Sequence, residues 1–157
     1  MNEQQLYLSP AGDGELLSGS TGIPYRLKAN ATATRGAYAL LESVLPPGDT
    51  MPVPHIHHDH DEAFYVISGE VEVLAGDGRF SATGGAYVFI PRGTPHAWQN
   101  VGGGPARMLF HFTPSGMERF FDGFAALEAP GPAAFATVGA EVGMDVVGPP
   151  LAQSDPV

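Results

Sequence analysis

The chain has 157 residues, enough for one domain with a core of its own. It has no cysteine, which excludes disulfides, thiolate catalysis, zinc ribbons and iron–sulfur clusters together. A net charge of −10, from 17 acidic and 7 basic residues, argues against a nucleic-acid or anionic-membrane partner, because both need clustered Lys and Arg. No apolar run approaches the roughly 20 residues that span a bilayer. The first residues lack the basic and apolar regions of a signal peptide, so a cytoplasmic location is expected.

The elements follow from local pattern. Residues 1–22 are rich in Gly and Ser and read as an arm with one short strand over 15–18. Residues 23–114 are expected to form a barrel. Its first strands lie in 24–28 and 37–45, with a turn at Pro46-Pro47-Gly48-Asp49. Short runs follow at 53–58, 62–67, 70–75, 79–82, 86–90, 95–100 and 106–113, split by Gly- and Pro-containing turns. With 21 Gly and 15 Pro in the chain, this spacing predicts an all-β sandwich or barrel.

After Pro114 the period changes. Residues 115–147 read as a C-terminal extension of two short helices. Ser115 to Glu118 has the form of a capping box, in which Ser115 accepts from the Glu118 amide and the Glu118 side chain reaches back. Met117, Phe120, Phe121, Phe124 and Leu127 then recur at helical spacing, and Pro130-Gly131-Pro132 ends the helix. A second helix is predicted over 133–142, with Phe135, Val138 and Val142 on one face and Gly143 as its stop. The aromatic residues of these helices read as packing against the barrel. Residues 148–157 read as a flexible tail.

Four of the six histidines lie between positions 55 and 60. On a strand, residues i and i+2 share a face, so His55 and His57 point the same way. Glu62 heads the next strand and can turn back to the same centre. His96 supplies a third imidazole from downstream. Three imidazoles and one carboxylate suit a divalent transition metal, Fe, Mn, Ni, Co, Cu or Zn, one per chain. His58 and His60 form a second His-x-His pair, but Phe64 and Tyr65 stand where a carboxylate partner would be needed. Residues His58, Asp59, His60 and Asp61 therefore read as a solvated hairpin end. Asn100 reads as a backbone partner, and the facing of His111 is open.

These residues closely resemble the two motifs of the cupin family. The first runs Gly48, His55, His57, Glu62, Gly69; the second runs Gly85, Pro91, Gly93, His96, Asn100. Six residues rather than five separate Gly48 from His55, a change confined to the loop before the strand. The resemblance implies a double-stranded β-helix, the jelly-roll or cupin barrel, with two short C-terminal helices like those of quercetinase-like cupins. It also implies that His55, His57, Glu62 and His96 bind the metal and that Glu62 is general base as well as ligand.

Strand parity places Phe64, Trp98, Met108, Phe110 and Phe112 as candidate pocket residues, with Tyr38 as a further candidate. Such walls favour a flat, apolar or aromatic substrate. Scarce basic residues make phosphorylated sugars a poor fit. Three functions stay open at this point. The first is a metal-dependent dioxygenase acting on an aromatic, enolic, flavonol-like molecule. The second is a redox-neutral cyclase, isomerase, epimerase or lyase, and the third a non-catalytic binding barrel. A homodimer is expected, because Tyr65 and Ile67 point outward on their strand.

Overall fold

The computed structural model describes residues 6–49, 52–127, 132–149 and 151. Its elements in chain order are β1 (Glu15–Ser18), β2 (Pro24–Ala29), α1 (Ala31–Thr34), β3 (Ala39–Leu45), β4 (His55–His57) and β5 (Asp61–Ser68). There follow β6 (Glu70–Ala75), β7 (Gly78–Thr83), β8 (Tyr87–Ile90), β9 (His96–Asn100) and β10 (Ala106–Thr113). The last are α2 (Glu118–Ala125), α3 (Pro132–Ala140) and β11 (Met144–Val146). The strands form two antiparallel sheets, one of order β1-β2-β3-β10-β5-β8 and one of order β11-β4-β9-β6-β7. Together they make the double-stranded β-helix that the motifs imply.

Alternation decides what each strand buries. On β10, Ala106, Met108, Phe110 and Phe112 face inward. Opposite them on β3 stand Ala39, Leu41, Ser43 and Leu45, and on β5 stand Glu62, Phe64 and Val66. Fully burying one such Phe or Leu contributes about 1.5–3 kcal/mol, so this interior dominates stability. Strand β9 is buried on both faces. Its Gln99 donates to Glu72 at 2.8 Å on one side, while His96 and Trp98 face the barrel interior. Gly69, at φ 92, turns the chain where a Cβ would come within 2.6 Å of the Ala106 Cα, so only glycine fits.

Two short elements escape the sequence pattern. Helix α1 is four residues long, capped by the Asn30 side chain accepting from the Ala33 amide at 3.0 Å. Strand β11 lies where the extension was read without a strand, and it pairs with β4, Met144 opposite His57 and Val146 opposite His55. The three-residue β4 is thereby held between β11 and β9, which it meets at His55 and His96.

The capping box needs correction. Helix α2 starts at Glu118, and no side chain caps it. The Ser115 amide donates to Gly36 O, so Ser115 is drawn away toward the segment after α1. Glu118 does reach back, but to the Gly116 amide at 2.7 Å, and its other oxygen accepts from the Ala31 amide at the start of α1 at 3.0 Å. Gly123 has a packing role, since a Cβ there would meet Val138 of α3 at 2.5 Å. Part of the Pro130–Pro132 helix stop and most of the 148–157 tail lie outside the described residues. No helix among the described residues is long and apolar enough to cross a membrane.

Candidate metal centre

Strand parity brings His55 and His57 inward from β4, as their spacing predicts. Glu62 enters from β5 and His96 from β9. All four residues are buried, none more than 2% exposed. Their ligand atoms lie within 4.8 Å of one another. His55 Nε2 and His57 Nε2 are 3.2 Å apart, and Glu62 Oε2 is 3.0 Å from both His57 Nε2 and His96 Nε2.

The orientation of two imidazoles is set from behind. His55 Nδ1 donates to Val53 O and His96 Nδ1 donates to Thr94 O, each at 2.8 Å. Each ring then aims Nε2 at the centre. Burial, and after it the nearby His96 and His57, holds His55 well below the ordinary imidazole range, so it stays neutral. Burial also lowers His96, but the Glu62 carboxylate outweighs this and the net shift is upward. Burial raises Glu62, yet hydrogen bonds from His57 and His96 overcome it and the carboxyl falls below its usual range. The centre thus attracts positive charge, which a proton satisfies incompletely. Glu62 Oε1 and His57 Nδ1 remain buried without a partner among the described residues.

A divalent ion fits this arrangement. Donors about 2.1 Å from one ion and at right angles to each other lie about 3.0 Å apart. The three short separations match that edge length. An ion would also relieve the facing Nε2 atoms of His55 and His57, which would otherwise need a proton between them.

The centre opens on a narrow cavity of about 30 Å³, room for one or two waters. Trp98 and Phe112 line it, as do His55, His57 and Glu62. Phe64, Met108 and Phe110 lie deeper in the core, in contact through the Phe64–Trp98 and Phe110–Trp98 ring pairs at 5.7 and 5.3 Å. Tyr38 packs against His111 with ring centroids 4.8 Å apart and planes tilted by 30°, and it does not line this cavity. The remaining wall comes from residues that sequence reasoning assigned to packing or left unassigned. Met117, Phe120 and Phe121 of the α2 segment, Phe135 of α3 and Met144 of β11 close it. Tyr25 joins them, its phenol pushed upward by burial and by the charges of Asp49 and Glu62, so it remains protonated. Helical spacing could reveal a buried face but not that this face roofs a metal centre.

The second histidine pair separates. His58 is at the surface, 2.9 Å from Asp145 Oδ2 of β11. His60 is buried at 5% exposure beside the Ser115–Gly116 turn, which corrects its reading as a solvated residue. Asp61 forms a two-oxygen pair with Arg92, which lowers its carboxyl to about 2. Asn100 bonds backbone as expected, donating to Leu45 O and Gly104 O and accepting from the Gly102 amide.

Residues 41–112 match the cupin domain family. That stretch, a little under half of the chain, is a cupin domain. This cupin is 33% identical over 82 residues to polyketide synthase CurC of Streptomyces cyaneus, covering 52% of this chain and 51% of that protein. It is 27% identical over 93 residues to quercetin 2,3-dioxygenase of Bacillus subtilis, covering 59% of this chain and 27% of that protein. The chain thus spans about half the length of the first and about a quarter of the second. The crystal structure of the polyketide cyclase RemF from Streptomyces resistomycificus shares the fold, with a TM-score of 0.59 and 21% identity over 71% of this chain and 81% of that one.

Proposed function

We propose that this cupin is a metal-dependent dioxygenase acting on a small aromatic molecule with an enolic hydroxyl. The observation that carries the reading is Glu62 Oε1. It is a buried carboxylate oxygen with no partner, set in a metal-ligand cluster that opens on an aromatic cavity. The likeness to quercetin 2,3-dioxygenase of Bacillus subtilis supports it.

A divalent ion held by His55, His57, Glu62 and His96 would supply Lewis-acid and redox chemistry. The chain's own residues supply the rest. Glu62 stands where it can take the hydroxyl proton of a substrate on Oε1, the oxygen with no partner among the described residues. His55 stays neutral and so remains a donor. Phe112, Phe120, Phe121 and Phe135 exclude water and favour a flat ring. The present cavity holds only a water or two, so a substrate displaces side chains of this wall on entry. In the proposed reaction both atoms of dioxygen enter the product as a carbon–carbon bond of the enolic substrate breaks, and the substrate itself supplies the four electrons, so no external reductant is consumed.

A second reading, redox-neutral chemistry such as cyclisation on an enolisable polyketide, draws on the 33% identity to a protein named as a polyketide synthase, CurC. There Glu62 would shuttle the same proton without oxygen. An oxygen electrode separates the two. The dioxygenase reading expects one dioxygen consumed per enolic aromatic converted; conversion without oxygen uptake overturns it in favour of the second.

A further inference from the structure

We infer that Trp98 orients the substrate, its indole N–H donating to a carbonyl-type oxygen of a molecule whose hydroxyl faces Glu62. This rests on the proposed function, and it narrows the substrate class to flat molecules carrying a hydroxyl beside a carbonyl.

Trp98 is the only tryptophan in the chain, and its Nε1 is buried with no hydrogen-bond partner among the described residues. Buried N–H groups are rarely left so. The fold gives the nitrogen nothing to do. The ring sits against Phe64 and Phe110, at 5.7 and 5.3 Å, where a phenylalanine would pack without stranding a donor. Tryptophan here is better explained by a partner that arrives with the ligand.

Position supports this. Trp98 is two residues from His96 on β9, and the two rings stack at 6.3 Å and 18°. His55 lies 6.2 Å from the indole, edge to face. The register of β9 with β6, Trp98 opposite Val73, fixes the ring in this place. Trp98 lines the same cavity as His55, His57 and Glu62, so a molecule held at the metal centre lies against it.

The two orphaned groups are complementary. Glu62 Oε1 lacks a donor and Trp98 Nε1–H lacks an acceptor. A lone hydroxyl satisfies the first only. A hydroxyl conjugated with a neighbouring carbonyl satisfies both, and once the hydroxyl proton has moved to Glu62 the negative charge spreads onto the carbonyl oxygen. A hydrogen bond to an anionic oxygen is the stronger kind, so the indole favours the deprotonated molecule over the neutral one.

The test uses zinc-loaded full-length protein and two small probes, tropolone with hydroxyl and carbonyl, and phenol with hydroxyl alone. Binding is followed by absorbance for tropolone and by competition for phenol. Trp98→Phe should weaken tropolone by about tenfold, in line with loss of one charge-assisted hydrogen bond, and leave phenol within about twofold. Because the chain has one tryptophan, growth with 3-benzothienylalanine replaces position 98 alone, keeping the ring shape and removing the N–H. It should reproduce the selective loss. Equal weakening of both probes, or of neither, overturns the role of Trp98 and leaves the metal reading intact. Failure of the zinc-loaded wild type to bind either probe overturns the role of Trp98 together with the enolic-aromatic substrate reading of the proposed function.

Discussion

Two His-x-His pairs adjoin each other in the chain, His55/His57 and His58/His60, and the fold treats them in opposite ways. The first pair lies wholly on a strand, so both rings face one side and meet Glu62 and His96. The second lies beyond the strand end, where parity no longer holds. His58 goes to the surface against Asp145, and His60 turns inward beside the Ser115–Gly116 turn. A shared residue pattern therefore makes a site only where a strand enforces a common face and other strands bring a carboxylate and a third imidazole to it.

The contrast predicts a descending series of effects. His57→Ala should lower metal affinity by at least about 100-fold, more than the loss of an outer partner of a ligand costs, as read by isothermal titration with zinc. Next comes Glu62→Gln. Three imidazoles still hold a divalent ion, so metal content should stay near wild type while kcat falls at least about 100-fold. If kcat instead stays near wild type with metal bound, Glu62 is a ligand and not a base. His60→Ala should cost about 1–3 kcal/mol of stability through the hole it leaves, seen by urea denaturation, with metal content unchanged. His58→Ala removes an exposed hydrogen-bonded contact with Asp145 and should change stability by less than about 0.5 kcal/mol. A metal loss in either of the last two variants would erase the distinction between the pairs.

Much of the barrel was legible because its signals are local. Alternation on 106–113 and 70–75 and the turns between strands locate those elements to within a residue or two. The shared facing of His55 and His57 was legible because His-x-His on a strand has one geometric outcome, while the convergence of Glu62 and His96 on them was read from the two motifs. What stayed hidden depends on distant partners. β11 is three residues long and is a strand only because β4 lies beside it. The Ser115 capping box failed because Gly36 and Ala31, remote in sequence, compete for the same groups. The cavity roof was misjudged for the same reason. Phe120, Phe121 and Phe135 do pack together, with Phe120 within 5.0 Å of Phe135, but they do so directly over the centre.

The central claim is that His55, His57, Glu62 and His96 hold one divalent ion. Elemental analysis of untagged protein tests it most directly, comparing wild type with His57→Ala and with the His58→Ala/His60→Ala double variant. The account predicts about one ion per chain in the wild type and the double variant, and loss of the ion in His57→Ala. An ion kept in His57→Ala and lost from the double variant would contradict it.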